Sequence, residues 1–169
     1  MRISQTNKYL PESRGRILDL GCGSGYLLKH VDFKDKYGID IDLPRDSRCM
    51  KGDIRKGLPF KQDYFDCITM LAVFEHIEED TIVDVMKECR RVLRSGGRLI
   101  ITTPTPIANF IIQFLGSLQL VSKKGAEEHK KTYYRSEIMD ILAEAGFDRN
   151  KIRAKYFELF MNCIIYADK

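Results

Sequence analysis

The residues whose types and spacing could do chemistry concentrate in one run of this 169-residue chain, Asp19-Leu20-Gly21-Cys22-Gly23-Ser24-Gly25. Three alternate glycines permit a tight strand-to-helix turn and let main-chain N–H groups approach a ligand closely. A dinucleotide fingerprint G-x-G-x-x-G needs Gly or Ala at position 26, which is Tyr26, and asks for no acid ahead of the turn, so NAD is disfavoured. Further carboxylates stand in Gly38-Ile39-Asp40-Ile41-Asp42 and in Gly52-Asp53-Ile54. Asp19 and Asp53 have an alternative role as turn-capping residues, and Asp42 reads as a surface turn residue. His76 and His129 are candidate proton acceptors, weighed against a packing role for His76 and a solvated loop position for His129.

The elements that must position these residues alternate between strand and helix. Arg16–Leu20 is a short apolar strand leading into the glycines, and Leu27, Leu28 and Val31 then recur at helical spacing. Tyr37–Ile41 reads as a second strand, Cys49–Ile54 as a third, and Phe65–Leu71 as a strand buried on both faces. Asp80–Arg94 reads as a helix with Ile82, Met86, Cys89 and Leu93 on one face, stopped by Ser95-Gly96-Gly97. Arg98–Thr103 follows as a strand. A last helix with Ser136 as N-cap carries Ile138, Ile141, Leu142 and Ala145, and the strands Lys151–Phe157 and Asn162–Ala167 close the chain. The expected fold is a doubly wound, mostly parallel, Rossmann-like α/β sheet with an antiparallel last strand. Its ligand would lie beyond the carboxyl ends of the first strands. Only residues 43–48 separate Asp42 from Cys49, so the second crossover is too short for a helix. Either a short loop replaces that helix, or the third strand is rudimentary.

Composition bounds the rest. With 28 Lys plus Arg against 24 Asp plus Glu, 44% hydrophobic residues and 5 Pro, a collagen, a coiled coil and a disordered tail are excluded, and one domain over 1–169 is expected. The formal net charge of +4 demands no polyanionic partner, although Lys123, Lys124, Lys130, Lys131 and Arg135 concentrate positive charge. The five cysteines show no C-x-x-C pair and no metal-ligand spacing, so they read as reduced thiols of a cytoplasmic protein with no metal site. No signal core or transmembrane segment is expected, because the most apolar stretch is broken by Asn109, Gln113, Gly116 and Gln119.

Asp19 with its three glycines, the acidic strand end at Asp40, Gly52-Asp53-Ile54, Leu58-Pro59-Phe60 before Phe65-Asp66-Cys67-Ile68, Phe74-Glu75-His76-Ile77, Arg91-Val92-Leu93-Arg94-Ser95-Gly96-Gly97-Arg98-Leu99 and the Tyr133–Phe147 segment occur in that order. Together they resemble the class I S-adenosylmethionine-dependent methyltransferases, in particular the small methyltransferase type 11 group. That ligand has a sulfonium, an amino acid tail, a ribose diol and an adenine but no pyrophosphate, so carboxylates must supplement the glycine turn. The resemblance implies that Asp19 and the main chain of Gly21, Cys22 and Gly23 hold the tail. It further implies that Asp40, with Ile41 beside it, accepts the ribose hydroxyls, that Asp53 and Ile54 take the adenine edge, and that Met70 and Leu71 complete the site.

In-line methyl transfer from a sulfonium draws much of its rate from alignment, so a base is optional and falls to His129 or His76 if one is used. Relatives that methylate amines carry an Asn/Asp-Pro-Pro-aromatic motif where this chain has Met70-Leu71-Ala72-Val73-Phe74, which favours an oxygen or carbon acceptor. Ile107, Phe110, Ile111, Phe114, Leu115 and Leu118 repeat at helical intervals, where relatives place a substrate lid; 105–132 is expected to be a substrate-side insertion or lid, with core packing as the commoner use of such an apolar face and a hydrophobic acceptor or membrane-surface contact as the others. The expected acceptor is a small molecule, hydrophobic or sugar-containing. RNA or protein methylation through the Lys123–Arg135 segment, a non-catalytic S-adenosylmethionine-binding module and, last, an NAD oxidoreductase are the alternatives. Residues 1–13 form an N-terminal extension too short to cap the site, so a dimer mate is a candidate to complete the acceptor pocket.

Overall fold

The computed structural model describes residues 2–12, 14–43, 49–108, 110 and 132–169. A short helix α1 (Arg2–Asn7) precedes β1 (Arg16–Leu20), α2 (Tyr26–His30), β2 (Asp35–Asp40), β3 (Met50–Lys51), β4 (Phe65–Leu71), α3 (Glu79–Val92), β5 (Leu93–Pro104), α4 (Arg135–Glu144), β6 (Ile152–Phe157) and β7 (Asn162–Asp168). The strands form one seven-stranded sheet in the order β3-β2-β1-β4-β5-β7-β6. β1, β2, β3, β4 and β5 run parallel, and β7 is antiparallel to both β5 and β6.

Strand alternation sends side chains to two buried faces. Leu18, Leu20, Ile68, Met70, Leu99 and Ile101 face α3 and α4, while Ile17, Cys67, Ile100 and Ile164 face α2 and the N-terminal residues Ile3, Tyr9 and Leu10. Burial on both faces explains why β1 and β4 are rich in apolar residues without alternation, their buried polar residues Asp19, Asp66 and Thr69 each having a partner. The strand order reverses at β1, with β2 on one side of it and β4 on the other, so the connections leaving the carboxyl ends of β1 and β4 run to opposite sides and leave a crevice between them.

Several boundaries differ from the sequence reading for physical reasons. β5 begins at Leu93 rather than Arg98, because the main chain of Gly96 and Gly97 pairs with Lys169 at the chain end. Those glycines do follow the end of α3, which stops at Val92. α4 starts at Arg135, with Tyr134 in the capping position and its N–H donating to Glu137 Oε2 at 2.6 Å, so Ser136 lies inside the helix instead of capping it. The third strand is rudimentary. β3 has two residues, pairs in parallel with Ile39 and Asp40, and is reached from β2 through residues 41–49 alone. Most of the expected 105–132 insertion lies outside the described residues. Among the described residues no helix is long and apolar enough to cross a membrane.

Candidate functional site

The glycine turn leaves β1 in a left-handed conformation, with φ of 72° at Gly21, 48° at Gly23 and 69° at Gly25. Side chains are strained in that region, which is why the turn needs glycine. The turn is tied to β2: Gly21 and Cys22 donate their N–H groups to Ile39 O at 2.8 and 3.2 Å, and Gly23 donates to Asp40 Oδ2 at 2.7 Å. Asp40 Oδ1 receives the N–H of Asp42 at 2.9 Å. The sheet end thus presents a carboxylate fixed at both oxygens, with lone pairs left over for a ligand.

Beyond these strand ends lies a cleft of about 400 Å³. Gly21, Asp40, Ile41, Asp53, Ile54 and Leu71 line it, all of them expected site residues. Cys22 is buried in the turn and Gly23 is held by Asp40. Asp19 sits under the turn with 4% of its surface exposed, and Met70 is fully buried in the core on the sheet face opposite Leu71. His76 lines the cleft, whereas His129 lies outside the described residues. No cluster of three or more His, Cys, Asp or Glu that could hold a metal occurs among the described residues.

Electrostatics separates Asp19 from Asp53. Burial raises the Asp19 carboxyl to about 7, opposed by the hydrogen bond that Thr69 Oγ1 donates to its Oδ1 at 2.7 Å and aided by the nearby Asp40. Asp53 goes the other way. The Arg55 guanidinium meets both of its oxygens at 2.8 Å and holds its carboxyl down at about 2. Arg55 also reaches Glu78 at 2.9 Å, so this cation at the cleft wall is committed to carboxylates.

The opposite wall contains what sequence reasoning missed. Ala72 follows β4 at φ 58°, a left-handed conformation that no residue type at this position signals. It turns the chain so that Val73 fills the space beside Gly21: a β-carbon on Gly21 would stand 2.2 Å from Val73 Cγ2. Glu75, in the 3-10 turn Phe74–His76, is fully buried, and neither carboxyl oxygen has a hydrogen-bond partner among the described residues. An ionised carboxylate left so is costly, and Glu75 precedes His76 and Ile77, which line the cleft. The types Phe-Glu-His are visible in the sequence, but nothing there shows which of them is buried.

Comparison with known proteins agrees with this geometry. Residues 18–101 match a family described as a methyltransferase domain. An uncharacterized protein of Methanocaldococcus jannaschii is 30% identical over 92% of this chain and 75% of its own length. A ubiquinone biosynthesis O-methyltransferase of Xylella fastidiosa is 26% identical over 100% of this chain and 75% of its own. In structure, a SAM-dependent methyltransferase from Archaeoglobus fulgidus aligns with TM-score 0.76 and 18% identity, over 99% of this chain and 91% of the other.

Two tests follow from the geometry. Gly21→Ala should lower stability by about 2–4 kcal/mol, combining left-handed strain with the collision against Val73, while Gly23→Ala, with open space around its β-position, should lose only about 1–2 kcal/mol. Adding Val73→Ala should relieve the collision part of the first loss and leave the strain, as read by denaturant unfolding. For Asp19 the folded state holds a proton that the unfolded chain releases between about pH 4 and 7, so its contribution falls as pH rises through that window and is constant on either side. Asp19→Asn removes that dependence. The stability of the native chain relative to Asp19→Asn should therefore decline from pH 4 to pH 7 and then level.

Proposed function

The chain belongs to the class I S-adenosylmethionine-dependent methyltransferases, with S-adenosylmethionine as its cofactor, and from that premise we propose that it methylates an oxygen or carbon of a small-molecule acceptor. The observation that carries the reading is the cleft itself, where a glycine turn meets carboxylates and the guanidinium in the lining, Arg55, is already paired. Such a lining rejects a pyrophosphate and suits a ligand with an ammonium, a sulfonium, a diol and a neutral base. Asp19 adds to the fit: held near 7 by burial, its carboxyl gains an ionising partner if an ammonium approaches. Bound S-adenosylmethionine supplies an electrophilic methyl group on a sulfonium whose departure leaves the neutral thioether of S-adenosylhomocysteine.

In this reading Asp19 and the main chain of Gly21, Cys22 and Gly23 hold the amino acid tail, and Asp40 accepts the ribose hydroxyls. Ile41 and Ile54 flank the base, Asp53 accepts from its edge, and Leu71 closes the floor, while Met70 supports the strand from the core on the other face. Arg55 keeps Asp53 ionised and therefore purely an acceptor. On the acceptor side, His76 is the base candidate that the cleft contains, and His129 remains a second candidate. The Met70-Leu71-Ala72-Val73-Phe74 sequence supports oxygen or carbon over an amine, and the curated relatives' O-methyltransferase name supports a small molecule.

Calorimetry should give micromolar-range binding of S-adenosylmethionine or S-adenosylhomocysteine and no heat with NAD; heat with NAD alone would overturn the cofactor assignment. Asp40→Ala should weaken binding by about 1.5–3 kcal/mol through the lost charge-assisted bonds. Asp42→Ala should change little, because Asp42 meets Asp40 through its main-chain N–H. Reversal of these two effects would show that β2 presents a different acid.

The acceptor class is tested by screening phenols, hydroxy acids and sugars for S-adenosylhomocysteine release. Once an acceptor is found, His76→Asn should lower kcat by about 10²–10⁴ if it is the base. Glu75→Gln should keep cofactor affinity, because Glu75 is fully buried and outside the cleft lining. Cofactor binding with no turnover across the screen would favour a non-catalytic binding module.

A further inference from the structure

The parallel register places Asp19 beside Gly38 and Met50 beside Ile39, so Cys49, just ahead of β3, arrives next to Gly38. A β-carbon on Gly38 would stand 2.5 Å from Cys49 Sγ and 2.6 Å from Cys22 Sγ. The two sulfurs therefore share the space that the missing side chain leaves open, and each is nearer to that point than any unstrained β-carbon contact allows. Cys49 Sγ also lies 3.4 Å from the β-position of Gly25, wedging it against the last glycine of the turn. Burial, contact with the Cys49 thiol and the Asp19 and Asp40 carboxylates push the Cys22 thiol well above the ordinary range. Cys22 is buried and Cys49 half-buried, and neither is in a disulfide. This pairing follows from the register of β3 on β2, which sets Met50 beside Ile39 and so Cys49 beside Gly38.

We propose that Cys22 and Cys49 are a dithiol site that closes to a disulfide when the protein meets a low-molecular-weight disulfide, stapling the glycine turn to the start of β3. The Cys49 thiolate, being the accessible one, attacks the small disulfide and forms a mixed disulfide while one small thiol leaves. Cys22, losing its proton to solvent or a neighbouring carboxylate, then attacks the Cys49 sulfur and expels the second small thiol. Two protein thiols are oxidised by two electrons, and one small disulfide is reduced to two thiols. Closure draws Cys22 toward Cys49, and this bears on its own N–H bond to Ile39 O and on the adjacent Gly23 bond to Asp40. The oxidised chain should accordingly bind S-adenosylmethionine roughly tenfold more weakly, the equivalent of about one hydrogen bond to a charged group. This affinity effect rests on the cofactor site proposed above, whereas the cross-link itself does not.

The test treats the full chain with excess oxidised glutathione and maps peptides without reduction. The expected product is an intramolecular Cys22–Cys49 link with loss of two hydrogens, reversed by dithiothreitol. Calorimetry should then show the roughly tenfold weaker binding in the oxidised chain, with Cys49→Ala binding equally with and without glutathione. A stable glutathione adduct on Cys49 that never closes, or a link from either residue to Cys67, Cys89 or Cys163, overturns the site. A mapped link with unchanged affinity overturns its effect on the cofactor. Failure of the reduced chain to bind S-adenosylmethionine at all would count against the cofactor site, and the peptide map would still decide the dithiol.

Discussion

The turn after β1 has no helix or sheet of its own to satisfy its main chain, and β2 supplies what it lacks. Ile39 O accepts from Gly21 and Cys22, and Asp40 accepts from Gly23, so the first residue after the strand and the acid of the neighbouring strand are fixed by the same few bonds. The left-handed glycines make the reversal sterically free, but these bonds set where it points. The rest of the cleft is arranged around that turn. Asp40 faces the cleft because its carboxylate is already engaged at the rim, and Val73 can pack where a Gly21 side chain would be.

The acids of the site are kept apart in protonation by their surroundings rather than by their type. Asp19 is buried beside a hydroxyl and titrates near neutrality; Asp53 is clasped by a guanidinium and stays ionised throughout the physiological range. A buried acid and an ionised rim acid give one cleft two different responses to a cationic ligand. Arg55, held between Asp53 and Glu78, serves to maintain that difference and leaves little positive field for an anion.

Shortening the second crossover has opposite consequences for the two ends of the site. With residues 41–49 alone between them, β2 and β3 pair over two residues, which is enough to bring Gly52 N–H onto Asp40 O at 2.9 Å and to set Asp53 at the rim. The same register brings Cys49, just ahead of β3, against the glycine turn. Gly38 then becomes the meeting point of two thiols, because a residue with no side chain is the one place where both sulfurs fit.

Much of this was legible in the sequence. The order of strands and helices follows from apolar runs of strand length and from helical spacing, since burial on two faces leaves no polar residue in β1 or β4 other than those with a specific partner, such as Asp19 with Thr69. The glycine turn and the acids at 19, 40 and 53 announce themselves because glycine spacing and carboxylate chemistry are properties of residue type. Other features depend on what comes together from distant parts of the chain. Ala72 adopts a left-handed conformation that glycine or asparagine would have signalled and alanine does not, and it is the packing of Val73 against Gly21 that accompanies it. Glu75 reads as any helix-edge acid until the sheet and Tyr133, packed on Phe74, enclose its turn. Cys22 and Cys49 look scattered at a separation that includes α2 and β2, and only the parallel register that lays Met50 beside Ile39 makes them neighbours. Residue identity thus determined which chemistry was available, through propensity and charge that act locally. Tertiary structure decided which groups were buried, paired or left without a partner, because those depend on long-range contacts that no local pattern encodes.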